Sequence, residues 1–194
     1  MKDLNNIADI IVGYQPKNRI QEKLNGMFCL IQGKNFDECR HLKKETLVTI
    51  NSERDPKPYL VHKEDILFQA RGFKHFAYHF KEGLPNAMVS ASFYIVRVKT
   101  NEVIPEYLAW WLNQKPAQNY FCAHSSNTAI SFISKKALSS LEIQLPSINT
   151  QNKICQIAKL QEQESKLKHE LIEKRSQLIN QLCLNVAQQK ENLQ

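Results

Sequence analysis

Glycine is scarce in this chain, and the few that occur stand far apart. Gly13, Gly26, Gly33, Gly72 and Gly83 are all there are. No two are close enough to build a phosphate-cradling loop, so a P-loop and a glycine-rich cofactor loop are both excluded. Cysteine is equally uninformative as a scaffold. The five residues (Cys29, Cys39, Cys122, Cys155, Cys183) are odd in number, widely spaced and contain no CxxC pair. That argues against a zinc site or a disulfide framework and for reduced cytoplasmic thiols. No apolar run approaches the ~20 residues of a membrane span. The first six residues, MKDLNN, lack the apolar core of a signal peptide. The expectation is a cytoplasmic chain with no membrane association. One further absence is local: between residues 150 and 188 there is no Gly and no Pro.

What is present suits a soluble globular protein with an appendage. The chain has 194 residues, 42% hydrophobic and 23% charged, with a net charge of +7. A surplus of that sign suits a polyanionic partner, and its distribution says more. Residues 150–194 carry seven Lys/Arg against five Asp/Glu, whereas residues 1–149 carry 19 against 14. The excess therefore sits mainly in the first part. A tail built to grip phosphate would show the reverse.

In residues 4–12, LNNIADIIV, positions Leu4, Ile7, Ala8 and Ile11 share a helical face, which predicts a helix ended by Gly13. Residues 14–19 read as a polar, basic loop. The apolar stretches 27–31, 46–50, 66–70 and 89–98 are short and rich in Val, Ile, Phe and Tyr, so they read as strands. Residues 103–123 read as helical, with Pro105 in the first turn and Pro116 splitting the segment in two. A polar loop at 125–128 precedes a short strand (129–133), a short helix (134–140) and a last strand (141–145). The first ~148 residues thus mix strands and helices irregularly, an α+β reading.

The tail has one rhythm throughout. Asn149 or Thr150 is the expected N-cap. Charges pair at i,i+4 (Glu162 with Lys166, Glu164 with Lys168, Glu170 with Lys174). Apolar residues form a narrow stripe with heptad steps through Leu160, Leu167, Leu171, Leu178, Ile179 and Leu182. Nearly 40 helical residues would reach roughly 55–60 Å. A domain near 100 residues has a radius of gyration of about 13 Å, so most of the stripe has no cover from its own domain. It calls for another helix, from a second copy or a different subunit. The competing reading folds the helix back on the domain, which the missing breaker disfavours. The division expected is residues 1–148 as a globular domain and 149–194 as a helical segment.

Catalytic patterns fail one after another. Residues 55–59, DPKPY, brush against the DPPY-type motif of amino-methylating DNA methyltransferases, but Lys57 interrupts the two prolines. Asp65 is followed by Gln69-Ala70-Arg71, which breaks the acid-plus-lysine spacing of a metal nuclease. His75 and His79 lie one helical turn apart, but no third zinc ligand accompanies them. No Ser/His/Asp arrangement can be argued from spacing.

Binding patterns do better. Residues 69–81, QARGFKHFAYHFK, set Arg71, Lys74, His75, His79 and Lys81 among four aromatics. Arg and Lys suit phosphates and guanine edges, Gln suits adenine, and aromatics stack on bases or wall a groove. The same stretch also fits a core hairpin with solvated charges. The loops 14–19 and 125–128 are the other polar segments able to reach base edges. Clustering of these three on one face is the test.

The succession of local patterns resembles the specificity subunit of type I restriction–modification systems. "NNIADIIVGYQP" is similar to that family's opening segment. "YLVHKEDILFQARG" resembles its acidic turn and buried strand ending near a glycine. "EVIPEYLAWWLNQ" resembles its helix with a "PEYL" start. "TAISFISKKALSSLEIQLPSINTQNKIC" resembles its closing block, in which a Leu-Pro strand end leads into a Gln-bearing helix. The family's subunit carries two target recognition domains separated by long antiparallel helices; this chain is similar to one half of it.

The resemblance implies a non-enzymatic reader of double-stranded DNA. It also implies a homodimer through the C-terminal helix, a modification (methyltransferase) subunit as partner, and in a complete system a restriction subunit. Two identical readers about a two-fold axis imply an interrupted palindromic target. No catalytic residue, cofactor or metal carries over. Expected DNA contacts, drawn from loops taken as exposed, are Tyr14, Lys17, Asn18, Arg19, Gln69, Arg71, Lys74, His75, Ser125, Asn127 and Thr128. Expected dimer contacts are Leu160, Leu167, Leu171, Leu178, Ile179 and Leu182. The alternatives are a helical adaptor that binds only protein, and an enzyme with an unrecognised site.

Overall fold

The structure is a computed structural model that describes residues 1–17, 22–126 and 130–191. In chain order its elements are β1 (Lys2–Asp3), α1 (Leu4–Ile7), β2 (Ala8–Val12), β3 (Phe28–Ile31), β4 (Val48–Ile50), β5 (Ile66–Gln69) and β6 (Ala77–His79). Then follow β7 (Ala87–Val89), β8 (Phe93–Val98), α2 (Pro105–Leu112), α3 (Lys115–His124), α4 (Lys135–Ser139), β9 (Glu142–Ile143) and α5 (Ile148–Glu191). The chain divides into two compact units, Met1–Asn152 and Lys153–Gln194. The architecture is α+β followed by a long C-terminal helix.

Four antiparallel strands in the order β2-β8-β5-β6 form the main sheet of the first unit. A second sheet, β4-β3-β7, is mixed, with β3 and β7 parallel. β1 and β9 pair antiparallel and bring the two ends of the unit together. One core cluster includes Ile31, Leu67, Phe76, Phe80, Phe93 and Ile95, and a smaller one joins Tyr14, Leu30, Ile50 and Met88.

Three expectations are corrected. Residues 4–12 are not one helix: a single turn gives way at Ala8 to β2, which pairs with β8 from Ala8↔Val98 to Val12↔Tyr94. The two periods compete over this segment, and pairing with β8 while burying Ala8 and Ile10 and turning Asp9 out favours the strand. Residues 89–98 are not one strand but the end of β7 and all of β8, which lie in different sheets. The break falls at Ser90-Ala91-Ser92, where the Ser90 and Ser92 hydroxyls bond each other at 2.7 Å. The long helix starts earlier than expected. Ser147, not Asn149 or Thr150, caps it: its carbonyl accepts from Gln151 N–H and its hydroxyl from Thr150 N–H.

Other boundaries fall within a few residues of expectation. The split between α2 and α3 comes at Asn113-Gln114, because Pro116 belongs to the first turn of the second helix. Residues 69–81 run from the last residue of β5 through the connecting loop and past β6, with which β5 forms a hairpin. The expected strand at 129–133 is represented, among the described residues, by a single bridge between Phe132 and Arg71. Along α5, Glu164 pairs with Lys168 at 2.6 Å as expected, but Glu170 meets Lys166 rather than Lys174.

Of the catalytic candidates, Asp65 is buried and grips Arg97 bidentately, with Oδ1 to Nε at 2.8 Å and Oδ2 to an η nitrogen at 2.7 Å. The His75/His79 pair does not lie on a helix. His79 is in β6 and bonds Glu64 at 2.8 Å, whereas His75 is in the loop before it.

Candidate nucleic-acid interface

The loop between β5 and β6 is held by its backbone. Ala70 and Arg71 N–H both donate to the Ser92 carbonyl, at 2.9 and 3.0 Å, and Gly72 N–H donates to the Ser131 carbonyl at 3.1 Å. Ile133 N–H returns a bond to the Ala70 carbonyl at 2.9 Å. The Tyr94 hydroxyl donates to the Ile133 carbonyl at 3.1 Å, and Ser126 N–H donates to Phe132 O at 3.0 Å. Residues 70–76 are thus stitched to Ser126 and to residues 130–133 by main-chain and side-chain bonds.

The first loop joins the same ground. Tyr14 N–H donates to Val89 O at 2.7 Å, and Tyr14 bridges Ser90, next to the Ser92 that holds Arg71. Gly13 makes this possible: a Cβ there would fall 2.2 Å from the Ser90 carbonyl oxygen.

What faces outward is cationic and aromatic. Arg71, Phe73 and Lys74 are exposed, Phe73 by 90%. The Arg71 guanidinium lies 5.0 Å from the centre of the Phe132 ring, a cation–π contact that steadies it. Among the described residues, no carboxylate pairs with Arg71 or Lys74. An exposed Phe beside free cations suits contact with a stacked, phosphate-bearing ligand. Phe73 was missing from the expected contacts. The signal for it was its place beside Gly72 at the turn of the hairpin.

The other expected contacts divide. Lys17 is exposed, with its N–H on the Glu53 carboxylate at 3.0 Å. Gln69 is half-buried and lays its amide against the turn, with Nε2 3.4 Å from Arg71 O. A Cβ on Gly72 would collide with that amide at 2.2 Å. Ser125 is half-buried and its hydroxyl donates to Cys122 O at 3.3 Å. Asn18, Arg19, Asn127 and Thr128 lie outside the described residues.

Two expected contacts are corrected to structural roles. Tyr14 is buried, edge-on to Tyr59 with ring centres 5.5 Å apart, and its hydroxyl accepts from Glu53 N–H at 3.0 Å. It supports the loop from below rather than reaching out. His75 is buried too: Nδ1 lies 3.0 Å from Gln69 O and Nε2 2.7 Å from Ser131 Oγ. Burial pushes its pKa below the ordinary histidine value, with the bond to Gln69 O partly opposing. A neutral ring that ties two loops together is not a phosphate grip.

The second unit presents the apolar stripe. Leu160, Leu167, Leu171, Leu178, Ile179 and Leu182 are each half exposed or more. No helix among the described residues is long and apolar enough to cross a membrane.

The model of the type I restriction modification DNA specificity domain family matches residues 1–181. No curated protein matches the chain. Among solved structures, the S subunit of a type I restriction-modification system from M. genitalium is similar at 15% identity and a TM-score of 0.57, over 82% of this chain and 37% of that one. The HsdS subunit from Thermoanaerobacter tengcongensis is similar at 20% identity and a TM-score of 0.61, over 87% and 38%. A chain from a structure describing assembly and conformational transition of the type I R-M system is similar at 17% identity and 0.62, over 91% and 41%. The chain spans about two fifths of the length of these relatives, and at such identities the likeness is one of fold.

Proposed function

The chain belongs to the type I restriction–modification DNA specificity family, and from that premise we propose that it reads double-stranded DNA without catalysing a reaction. The observation that carries the reading is the surface formed by residues 70–76 with Ser126 and residues 130–133, from which Arg71, Phe73 and Lys74 project. Arg71 reads a base edge, Lys74 and Lys17 hold phosphates, and Phe73 packs against the groove or a base step. Gln69 and His75 act through the loop they shape. Asn18, Arg19, Asn127 and Thr128 remain proposed contacts.

The unit Met1–Asn152 is the half-site reader, and the helix dimerises the chain through its exposed stripe. With a second copy supplying the second reader about a two-fold axis, the target is an interrupted palindrome. A modification subunit supplies the methyl transfer, a restriction subunit completes the system where one exists, and the setting is the cytoplasm.

Methylome sequencing of cells expressing this chain with its methyltransferase tests the reading. A modified, interrupted palindrome is expected. A host methylome unchanged by the chain, or an asymmetric motif, overturns it. Salt-dependent, sequence-selective retention of duplex DNA separates the reading from a protein-binding adaptor.

A further inference from the structure

We propose that Asp37, Cys39 and His41 form a surface site for a zinc-class divalent cation. Their three donor atoms lie within 4.8 Å of one another. The segment is a built turn. Phe36 and Leu42 bridge antiparallel, Asp37 N–H donates to His41 O at 3.0 Å, and Arg40 N–H donates to Asp37 O at 3.0 Å. Arg40 takes a left-handed backbone, φ 68°, which turns the chain back on itself. Phe36 anchors the turn in an aromatic cluster with Phe76, Tyr78 and Phe93.

The geometry at the carboxylate is that of a ligand. Asp37 Oδ1 is committed to His41 N–H at 2.8 Å, which fixes the carboxylate plane as an outer-shell hydrogen bond does. Its other oxygen, Oδ2, lies 3.3 Å from His41 Nδ1. Two ligands bonded at about 2.0–2.1 Å in a tetrahedron stand roughly 3.3–3.4 Å apart. An ordinary Asp–His ion pair accounts for that one distance; the Cys39 thiol lies within 4.8 Å of both partners and closes inward when a cation binds.

Thiolate, imidazole and carboxylate together favour zinc over the hard cations magnesium and calcium, which take oxygen ligands. Three protein donors leave the fourth position to water. Binding forms a metal–sulfur bond as the Cys39 thiol gives its proton to solvent. Residues spaced as D-x-C-x-H also share one face of any β-strand, so the spacing alone does not signal a metal.

The test uses the full chain, reduced and free of metal. Cobalt(II) titration is expected to give a thiolate-to-cobalt charge-transfer band saturating at one equivalent. Cys39→Ser is expected to abolish it, and His41→Ala and Asp37→Asn to weaken binding by about tenfold or more. Zinc is expected to protect Cys39 from iodoacetamide, read by peptide mapping. Cys122 and Cys183, which are also exposed, serve as controls that stay reactive. A band that survives Cys39→Ser, or alkylation of Cys39 at an unchanged rate under saturating zinc, overturns the site. All three side chains are at the surface, so unchanged circular dichroism is expected in each variant.

Discussion

Replacing Gln151 with Leu tests the account of how the globular unit is closed. Gln151 sits fully buried in the first turn of α5. Its Oε1 accepts from Ile104 N–H at 2.9 Å, at the entry to α2. Its Nε2 donates to Glu102 O at 2.8 Å and to Pro146 O at 2.9 Å. One side chain thus satisfies a helix-entry donor and two carbonyls from separate loops. Leu keeps the volume and removes all three bonds. Each bond is worth about 0.5–1.5 kcal/mol net, and stranding the Ile104 donor adds about 1–3 kcal/mol. The expected loss is about 2.5–7.5 kcal/mol. At about 2–4 °C per kcal/mol for a unit of this size, the midpoint falls by about 5–30 °C. Both tryptophans, Trp110 and Trp111, lie on α2, so fluorescence reports the first unit alone. Gln151→Glu is expected to be worse than Leu, because it turns a second acceptor toward two carbonyls. Asn152→Leu, exposed next door, is the control, with a shift within about 0.5 kcal/mol. A Gln151→Leu variant that melts within about 0.5 kcal/mol of the parent would refute the reasoning.

Asp65→Ala leaves Arg97 without its bidentate partner in a half-buried setting, at a cost of about 3 kcal/mol in urea unfolding; adding Arg97→Met should restore part of it. His75 titrates below its ordinary value, so the unfolded chain binds the proton more readily. Stability should therefore be full above pH ~6.5 and fall as pH drops through that value toward the lower folded pKa. Melting His75→Gln against the parent over this range checks the sign, and an equal pH slope in the two would remove His75 as the source. Arg71→Ala should weaken cognate DNA binding by about 1–3 kcal/mol in fluorescence anisotropy with little change in melting, and unchanged affinity would strike it from the contacts. Leu171→Asp with Leu178→Asp should give a monomer by sedimentation while tryptophan-monitored stability of the first unit stays put.

Legibility varied with how local the determining physics is. The entry of α2 was readable because Pro105 fixes it, whereas the serine caps at Ser134 and Ser147 were not singled out. Pairing across the sheet was not. Nothing local in residues 8–12 says that β8 offers a partner, so the helical spacing of Leu4, Ile7, Ala8 and Ile11 was an equal match. The run 89–98 is buried in two sheets at once and reads as continuous apolar sequence, with only Ser90 and Ser92 to mark the corner. Site residues were legible as types but not as orientations. Tyr14 and His75 carry polar atoms among polar neighbours, yet both turn inward, because each satisfies a bond that only the distant Glu53 or Ser131 supplies.

The same separation explains what a reader loop needs. At residues 70–72 the shape is set by main-chain bonds to Ser92 and Ser131, which ask nothing of the side chains at Arg71, Phe73 or Lys74. Gly72 and His75 have no such freedom. A Cβ at 72 meets Gln69, and the ring at 75 ties Gln69 O to Ser131. The loop therefore has fixed positions that hold its course and free positions that face outward. Substitution at 71, 73 or 74 is expected to change the outward surface while the fold stands, and substitution at 72 or 75 to damage the loop before it changes any contact. That is why sequence spacing exposed the fixed architecture more readily than the contacts. The outward residues are the ones the fold constrains least.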